Sequence, residues 1–371
     1  MAGTERAERA EAQRRVARAE ADDEHLALGL VRNGADPATG DPAGGGHEAG
    51  TEREPAEREQ AGDRASVHTR EATRPRREHA PGWGAQTRYR RMMTPDVELG
   101  EAGGLAFRSA GSGRPLVLLH PGTGLDGSVF FPEVLDLTGQ GVRVVAIDLP
   151  ANGHSPAGDR AEWTVSGYAR AVMRCVRALR LEPGGWDLLG HSFGGYVALE
   201  LNKLHPGELS RIVASCTEGS EEPPPGGTDW PFEGLSQEQT TAIEDAWERE
   251  VAATTPEGLR DAWLDQLGYY SASPEGAERL RRRWAGVTYQ PGPNQQEDWG
   301  ELEALDALAG VTVLSIAGEH DHMPLVLQQR IADASPRGTL AVIPNAGHFP
   351  FAETPELYWP VVATSLRETA P

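Results

Sequence analysis

The sequence predicts an α/β fold: a mostly parallel, doubly wound sheet with a helical cap inserted between late strands. Six short apolar runs, most of them bounded by Gly, Pro or Asp, are typical of buried parallel strands. Helical patterns lie between several of these runs, and such alternation is typical of a parallel sheet covered on both faces. The alternation stops once, for about ninety residues between the fourth and fifth runs, and the cap is expected there.

The predicted elements follow one another along the chain. Apolar residues at helical spacing predict one helix over Tyr168–Leu179 and another over Tyr196–Leu204. None of the apolar runs approaches the roughly 20 residues that a membrane-spanning helix requires. The six predicted strands are Leu116–Leu119, Val142–Ile147, Trp186–Leu189, Ile212–Ala214, Val311–Ile316 and Thr339–Ile343.

Residues 1–91 are expected to form a disordered, charged extension. Their only aromatic residues are Trp83 and Tyr89, and such a composition buries too little surface to offset the entropy of ordering. An alternative is that translation starts at Met92, directly before the first sequence with strand character. The expected domains are this extension, an α/β core over 92–217 and 304–371, and a helical cap over 218–303.

The cap is predicted from its helical patterns and its tryptophans. Helices are expected over Gln237–Val251, Pro256–Leu267 and Pro274–Trp284, and the region holds five of the nine tryptophans. Between Glu218 and Glu303 there are 19 acidic and 6 basic residues. A helical insert beside the carboxyl ends of the strands is typical of a cap over a pocket. For any single tryptophan, the simpler interpretation is the hydrophobic core of the helical region itself.

The charge and the cysteine content exclude several classes of function. A net charge of -21 argues against nucleic acid or an anionic membrane surface as a partner. Two cysteines, Cys175 and Cys216, are too few for a disulfide framework or a multi-cysteine metal site, and they fit a reducing compartment. We therefore expect a cytoplasmic protein with a small-molecule substrate and no cofactor. The sequence leaves the oligomeric state open.

The motif with the clearest chemistry is Gly190–Gly195, with the sequence Gly-His-Ser-Phe-Gly-Gly. A predicted strand runs into it and a predicted helix follows, which is the setting of a nucleophile elbow. The sharp turn is expected to strain the backbone of Ser192 and to hold its hydroxyl above the sheet. The glycines leave room for that turn, and the helix N-terminus adds positive charge where a negative charge would develop.

A nucleophilic serine needs a base, and the base needs an orienting carboxylate. The chain order nucleophile, acid, histidine favours His348, on the loop after the last predicted strand, over His154, which is expected to be a turn residue. Asp321, at the end of the fifth predicted strand, is expected to orient His348. Glu319 and Asp148 are its competitors.

An oxyanion would need backbone donors near the nucleophile. The N–H of Phe193, directly after the serine, is the first expected donor. Gly122, on the loop after the first predicted strand, is the second, and Thr123 is the next candidate and an expected substrate contact. His320 and His322 flank Asp321 and suggest a metal site, but no further ligand cluster is apparent, so no metal is expected.

The segments with candidate functional residues are His120–Gly122, Asp148–Ser155, Gly190–Gly195, Gly318–Asp321 and Gly347–His348, together with Glu353 and Pro355. In this order they resemble the α/β-hydrolase superfamily, specifically its capped, esterase-like members, over about residues 93–371. The resemblance implies an α/β-hydrolase fold. The family usually has His-Gly where this chain has His120-Pro121, and proline lacks an N–H, so Pro121 is excluded as an oxyanion donor. The 1–91 extension has no counterpart in the family pattern.

The expected function is that of a serine hydrolase that forms an acyl-enzyme. The substrate class is a small or medium, largely apolar carboxylic ester, lactone or thioester, with Phe130 and Phe349 lining the pocket. Serine at the elbow excludes an aspartate nucleophile. Three alternatives stay open: a proline-iminopeptidase-like aminopeptidase whose cap carboxylates hold an ammonium group, a carbon–carbon bond hydrolase, and a non-enzymatic ligand-binding receptor or scaffold.

Overall fold

The sheet has nine strands in the order β1-β9-β8-β7-β6-β4-β5-β3-β2 within the described residues. The computed structural model describes residues 97–220, 234–296, 300 and 302–368, together with the backbone of 30–32. The expectation for 1–91 lies outside this range, except for the three residues of β1. The strands are β1 Leu30–Arg32, β2 Glu98–Ala102, β3 Leu105–Gly111, β4 Arg114–Leu119, β5 Val142–Ile147, β6 Trp186–His191, β7 Leu209–Ser215, β8 Thr312–Gly318 and β9 Gly338–Ile343.

Strands β4 to β9 are parallel to one another, and they are the six strands that the sequence predicts. Successive side chains of a strand point to opposite faces of the sheet. A separate hydrophobic cluster covers each face of this sheet. Leu116 and Leu118 of β4 belong to one hydrophobic cluster, whereas Val117 and Leu119 belong to the other. The doubly wound architecture is therefore confirmed.

The sequence-based interpretation missed the antiparallel edge formed by β2 and β3. These strands form a hairpin through Gly103 and Gly104, whose φ angles of +59° and +83° suit a tight two-residue turn. Strand β3 then pairs antiparallel with β5. The pattern of β3 is unusual, since Arg108 and Ser109 lie inside a fully buried stretch.

Eight α-helices are present in the described part of the chain. Helices α3, α4 and α5 fill the gap between β7 and β8, and hydroxyl groups of Ser236, Thr255 and Ser273 cap their N-termini. These caps explain why the three helices begin where the sequence predicts. The helices are α1 Val165–Ala178, α2 Phe193–Leu204, α3 Gln237–Ala252, α4 Pro256–Tyr270, α5 Pro274–Trp284, α6 Leu325–Asp333, α7 Pro350–Glu353 and α8 Pro355–Arg367.

The segment that contains α3, α4 and α5 lies against the loop that follows β4. The N–H of Gln290 donates to the carbonyl of Gly124 (2.9 Å), and the guanidinium of Arg283 donates to the carbonyl of Val129 (2.9 Å). This loop begins at the carboxyl end of the parallel strands, so the helical segment sits at the edge where α/β sheets place their sites. Within the described residues, no helix is both long and apolar enough to cross a membrane.

Candidate active site

Ser192 occupies the turn between β6 and α2. Its backbone has φ +51° and ψ −122°, a conformation that non-glycine residues adopt only when the surrounding structure holds them there. The Ser192 N–H donates to the carbonyl of Ser215 on β7 (2.9 Å), and the N–H of Gly195 donates to the Ser192 carbonyl (2.7 Å). A Cβ on Gly194 would overlap the carbonyl oxygen of Leu119, so the elbow packs directly against the end of β4.

The loop after β9 brings His348 to this turn. Nε2 of His348 lies 3.0 Å from Oγ of Ser192, and Nδ1 lies 2.9 Å from Oδ1 of Asp321, which follows β8. Because a carboxylate only accepts hydrogen bonds, Nδ1 carries the proton here and Nε2 accepts from the serine hydroxyl. The side chains of His348 and Asp321 are 5% and 1% exposed. The fold therefore brings together Ser192, His348 and Asp321, the three side chains that the sequence predicts to interact.

Asp321 keeps its charge in spite of its burial. Burial acts to raise the pKa of this carboxyl, but the neighbouring His348, together with contacts from His322, holds the pKa well below its ordinary value. The N–H of Met323 also donates to Oδ1 of Asp321 (3.1 Å). The competing Glu319 instead accepts the N–H of Asn345 at an exposed position (2.9 Å).

A buried carboxylate fixes the loop that carries His348. Oε1 of Glu353 accepts the N–H groups of Gly347 and Phe349, each at 3.1 Å. Oε2 accepts two donors from the turn after α4, each at 2.9 Å. The N–H of His348 donates to the carbonyl of Tyr270, the last residue of α4 (2.7 Å). The position of the imidazole is therefore tied to the helical segment as well as to the sheet.

The two expected oxyanion donors lie on elements that meet at the elbow. Phe193 is the first residue of α2, whose initial N–H groups point outwards from the helix end. Gly122 is partly exposed and has φ +56°, and a Cβ there would overlap the ring of Trp263 on α4. Thr123 follows Gly122 and is also partly exposed. Glycine is thus required at 122 both by its backbone conformation and by the indole above it.

The loop that carries Gly122 is anchored by buried polar side chains. The imidazole of His120 donates through Nδ1 to the carbonyl of Pro121 (3.0 Å) and accepts the N–H of Leu149 through Nε2 (3.1 Å). Burial lowers the pKa of His120, which keeps the neutral tautomer that this pairing needs. Oδ1 of Asn152 accepts the N–H of Gly124 (2.5 Å).

The two phenylalanines expected in a substrate pocket are both buried. Phe130 is 0% exposed and packs against Phe351 and Trp359, with ring centroids 5.0 and 6.5 Å away. Phe349 is 1% exposed, and its ring lies 4.9 Å from that of His348. Both rings belong to the same hydrophobic cluster. Phe349 thus packs beside the His348 imidazole, and Phe130 packs against the two helices that follow the His348 loop.

Two tryptophans of the helical segment contact the α/β core, which the simpler interpretation does not include. Trp284 packs against Phe349 of the α/β core with ring centroids 4.9 Å apart, and Trp263 covers Gly122. Trp247 donates through Nε1 to the hydroxyl of Tyr270 (3.2 Å). Trp263 and Trp284 therefore do more than fill a separate helical core, whereas the contact of Trp247 lies within the helical segment. Trp230 and Trp299 lie outside the described residues.

A second polar cluster surrounds Arg108 on β3. Its guanidinium donates to Oδ1 of Asp148 (2.7 Å) and to Oδ2 of Asp126 (2.6 Å), and all three side chains are almost fully buried. Burial would raise the pKa of Asp148, but Arg108 and further hydrogen bonds lower it to about 2. Nδ1 of His154 lies 3.4 Å from Asp148, so His154 and the competing carboxylate Asp148 are engaged here and do not reach Ser192. The two acids already share a cation, which leaves them poorly suited to bind a metal.

One residue close to the candidate site was assigned no catalytic task from the sequence. The side chain of His322 is 13% exposed, and its Nδ1 lies 3.1 Å from Oδ1 of Asp321. By contrast, His320 is exposed and lies 3.6 Å from Glu319. The adjacency of His322 to Asp321 in the sequence was the available signal, but only the fold shows which way the ring points.

The sheet order and the strained serine turn define an enzyme of the α/β-hydrolase type. The protein belongs to the alpha/beta hydrolase family, whose sequence model matches residues 116–360. The chain is 27% identical over 261 residues to a pimeloyl-acyl-carrier-protein methyl ester esterase of Aeromonas hydrophila, a match that covers 68% of this chain and 95% of the relative. It is 25% identical over 267 residues to a 2-hydroxymuconate semialdehyde hydrolase of Pseudomonas sp. strain CF600, covering 71% and 90%. A thermophilic esterase structure from Thermogutta terrifontis covers 74% of this chain and all of its own, with a TM-score of 0.55 and 22% identity.

Proposed function

We propose that the protein is a serine hydrolase that cleaves a small or medium, largely apolar carboxylic ester, lactone or thioester through an acyl-enzyme. The observation that carries the proposal is one hydrogen-bonded chain from Ser192 Oγ through the His348 imidazole to Asp321, with steps of 3.0 and 2.9 Å. Those separations match the reach that a nucleophile and its base require. The esterase among the relatives supports the same class of reaction.

In the proposed reaction, Ser192 attacks the carbonyl carbon while His348 accepts its proton. Asp321 orients the imidazole and stabilises its positive charge. The N–H groups of Phe193 and Gly122 stabilise the oxyanion. His348 then protonates the leaving group, and water activated by the same imidazole releases the acid from the serine. No residue outside this set is needed to balance the proton transfers.

The proposed substrate class follows from the groups around His348. The helical region 218–303 is proposed to act as a cap over Ser192, because α4 contributes both Trp263, above Gly122, and Tyr270, beside His348. Since Tyr270 is partly exposed, an aromatic surface faces the imidazole, which favours an apolar acyl or alcohol group.

A fluorophosphonate probe tests the proposal because it reacts with an activated serine and needs no knowledge of the substrate. The wild-type protein is expected to be labelled at Ser192, and S192A is expected to lose labelling and at least about a thousandfold in esterase activity. The chain offers a matched control: Ser215 Oγ lies 3.0 Å from Nδ1 of His191, but Ser215 is fully buried. S215A should therefore keep its labelling. An unlabelled wild-type protein would instead favour a ligand-binding receptor or scaffold.

A second candidate function is an aminopeptidase, and acidic groups near the site favour it. Glu218 accepts a hydrogen bond from the hydroxyl of Tyr196 (2.9 Å), which lies one helical turn after Ser192. Burial raises the pKa of the Tyr270 hydroxyl, and the nearby carboxylate of Glu250 on α3 raises it further. Such carboxylates suit a substrate ammonium group. Parallel assays with a p-nitrophenyl ester and an N-terminal-proline amide separate the two functions. A vinylogous diketone tests the carbon–carbon bond alternative, which the semialdehyde hydrolase relative supports.

A further inference from the structure

Two imidazoles approach the same oxygen of Asp321. Oδ1 lies 2.9 Å from Nδ1 of His348 and 3.1 Å from Nδ1 of His322. The second contact departs from regular hydrogen-bond geometry, and the described residues offer the buried Nδ1 of His322 no other partner. A buried polar nitrogen without a hydrogen-bond partner costs folding free energy, so the position of this nitrogen beside a carboxylate indicates an interaction between the two.

The ring of His322 is held in place by its neighbours. Its centroid lies 4.6 Å from that of His348 with the planes at 64°, and 5.0 and 5.1 Å from the rings of Tyr269 and Tyr270. Asp321 and His348 face it from the loops after β8 and β9, and the two tyrosines face it from α4. Four titratable groups therefore face the imidazole, and the buried thiol of Cys216 lies within 4.8 Å of Asp321 and His348.

We propose that His322 is a positioning residue for the reaction, which directs its Nδ1–H at Asp321 and so shares that carboxylate with His348. The inference rests on the proposed function. A carboxylate that gives part of its charge to a second donor attracts the proton of His348 less strongly. Without the second donor, the full charge of Asp321 would act on the His348 imidazolium, so serine labelling should need a higher pH.

This role requires His322 to remain neutral. Burial lowers the pKa of His322, and the nearby positive charge of His348 lowers it further, against the opposing effect of Asp321. Burial also raises the pKa values of Tyr269 and Tyr270, so both phenols stay protonated and uncharged. Asp321 is therefore the negative charge in direct contact with the two imidazoles.

The test measures the rate of fluorophosphonate labelling from pH 4.5 to pH 9. H322F and H322L remove the donor, H322N keeps a side-chain N–H, and H320N changes an exposed histidine two residues away. The acid limb of H322F and H322L is expected to move about half a pH unit upwards, so that labelling is about threefold slower below the midpoint and unchanged above it. H322N and H320N should follow the wild-type profile.

The readout separates a positioning role from a structural one. A uniform loss of labelling at every pH in the donor-free variants, or a wild-type midpoint in them, would overturn the inference. A shift of H322N together with the donor-free variants would also overturn it. Because His322 lies on a loop, either of the two donor-free variants that folds, as judged by circular dichroism, is sufficient. Failure of the proposed function would appear differently, as a wild-type protein that is not labelled at Ser192 at any pH.

Discussion

Glu250 on α3 offers a sharp test of the electrostatics of the helical segment. Its Oε2 accepts a hydrogen bond from Nε2 of Gln266 on α4 (2.6 Å), and the ion pairs among the described residues do not include it. It also stands in the last turn of α3, where the helix dipole disfavours a negative charge. Burial raises the pKa of this carboxyl to about 7, against the opposing effect of Gln266.

The raised pKa translates into a pH-dependent loss of stability. Between pH 4.5 and about 7 the folded protein binds a proton that the unfolded chain has released, so the free energy of unfolding falls as the pH rises through that range. Above about pH 7 the loss is complete. A shift of this size corresponds to about 3 kcal/mol, and the partial exposure of Glu250 makes 1 to 3 kcal/mol the expected range at roughly pH 8.

The variant E250Q removes the charge and keeps an oxygen that can accept from Gln266. Urea unfolding is expected to show E250Q more stable than wild type by about 1 to 3 kcal/mol at pH 8, with no gain near pH 4.5. E248Q, on the exposed side of the same helix, is the matched control and should change little at either pH. An equal gain for E250Q at both pH values would refute the reasoning, because a pH-independent effect cannot come from ionisation.

Two further substitutions test how the site is supported. In E353Q, amide hydrogens face N–H groups that need acceptors, so the His348 loop should loosen. Fluorophosphonate labelling is expected to slow about tenfold or more, while the circular dichroism spectrum stays that of the folded protein. R108M leaves Asp126 and Asp148 buried without their cation. Urea unfolding near pH 7 should show that the free energy of unfolding falls by about 3 to 5 kcal/mol. A fall of less than about 1 kcal/mol would mean that the two carboxylates find other partners.

The features that the sequence predicts well depend on short-range patterns. The parallel strands are apolar because both faces of each are buried, and the elbow needs glycines only a few residues apart. The helices between β7 and β8 have their capping residues directly before them, so Gln237, Pro256 and Pro274 are recognisable first residues. Such signals need no knowledge of the rest of the fold.

The features that the sequence predicts poorly depend on residues that are far apart in the chain. Strand β3 lacks a continuous apolar pattern because Arg108 interrupts it. The burial of this charge can be explained only when Asp126 and Asp148 are known to bind the guanidinium. Phe130 and Phe349 illustrate the opposite case. An apolar side chain near a motif is equally compatible with a pocket and a core, and only packing decides between them.

Helix α4 connects the two halves of the proposed site, which has a consequence for substrate selection. Its last residue, Tyr270, accepts the N–H of His348 through its carbonyl (2.7 Å), and two turns earlier Trp263 covers Gly122. One rigid element therefore contacts both the loop that holds the base and the loop that holds an expected oxyanion donor. A displacement of the proposed cap would disturb the geometry of both loops together. Substitutions on α4 that reshape the proposed pocket should accordingly change kcat as well as KM, since the proposed substrate-binding surface also holds the proposed reacting groups in position.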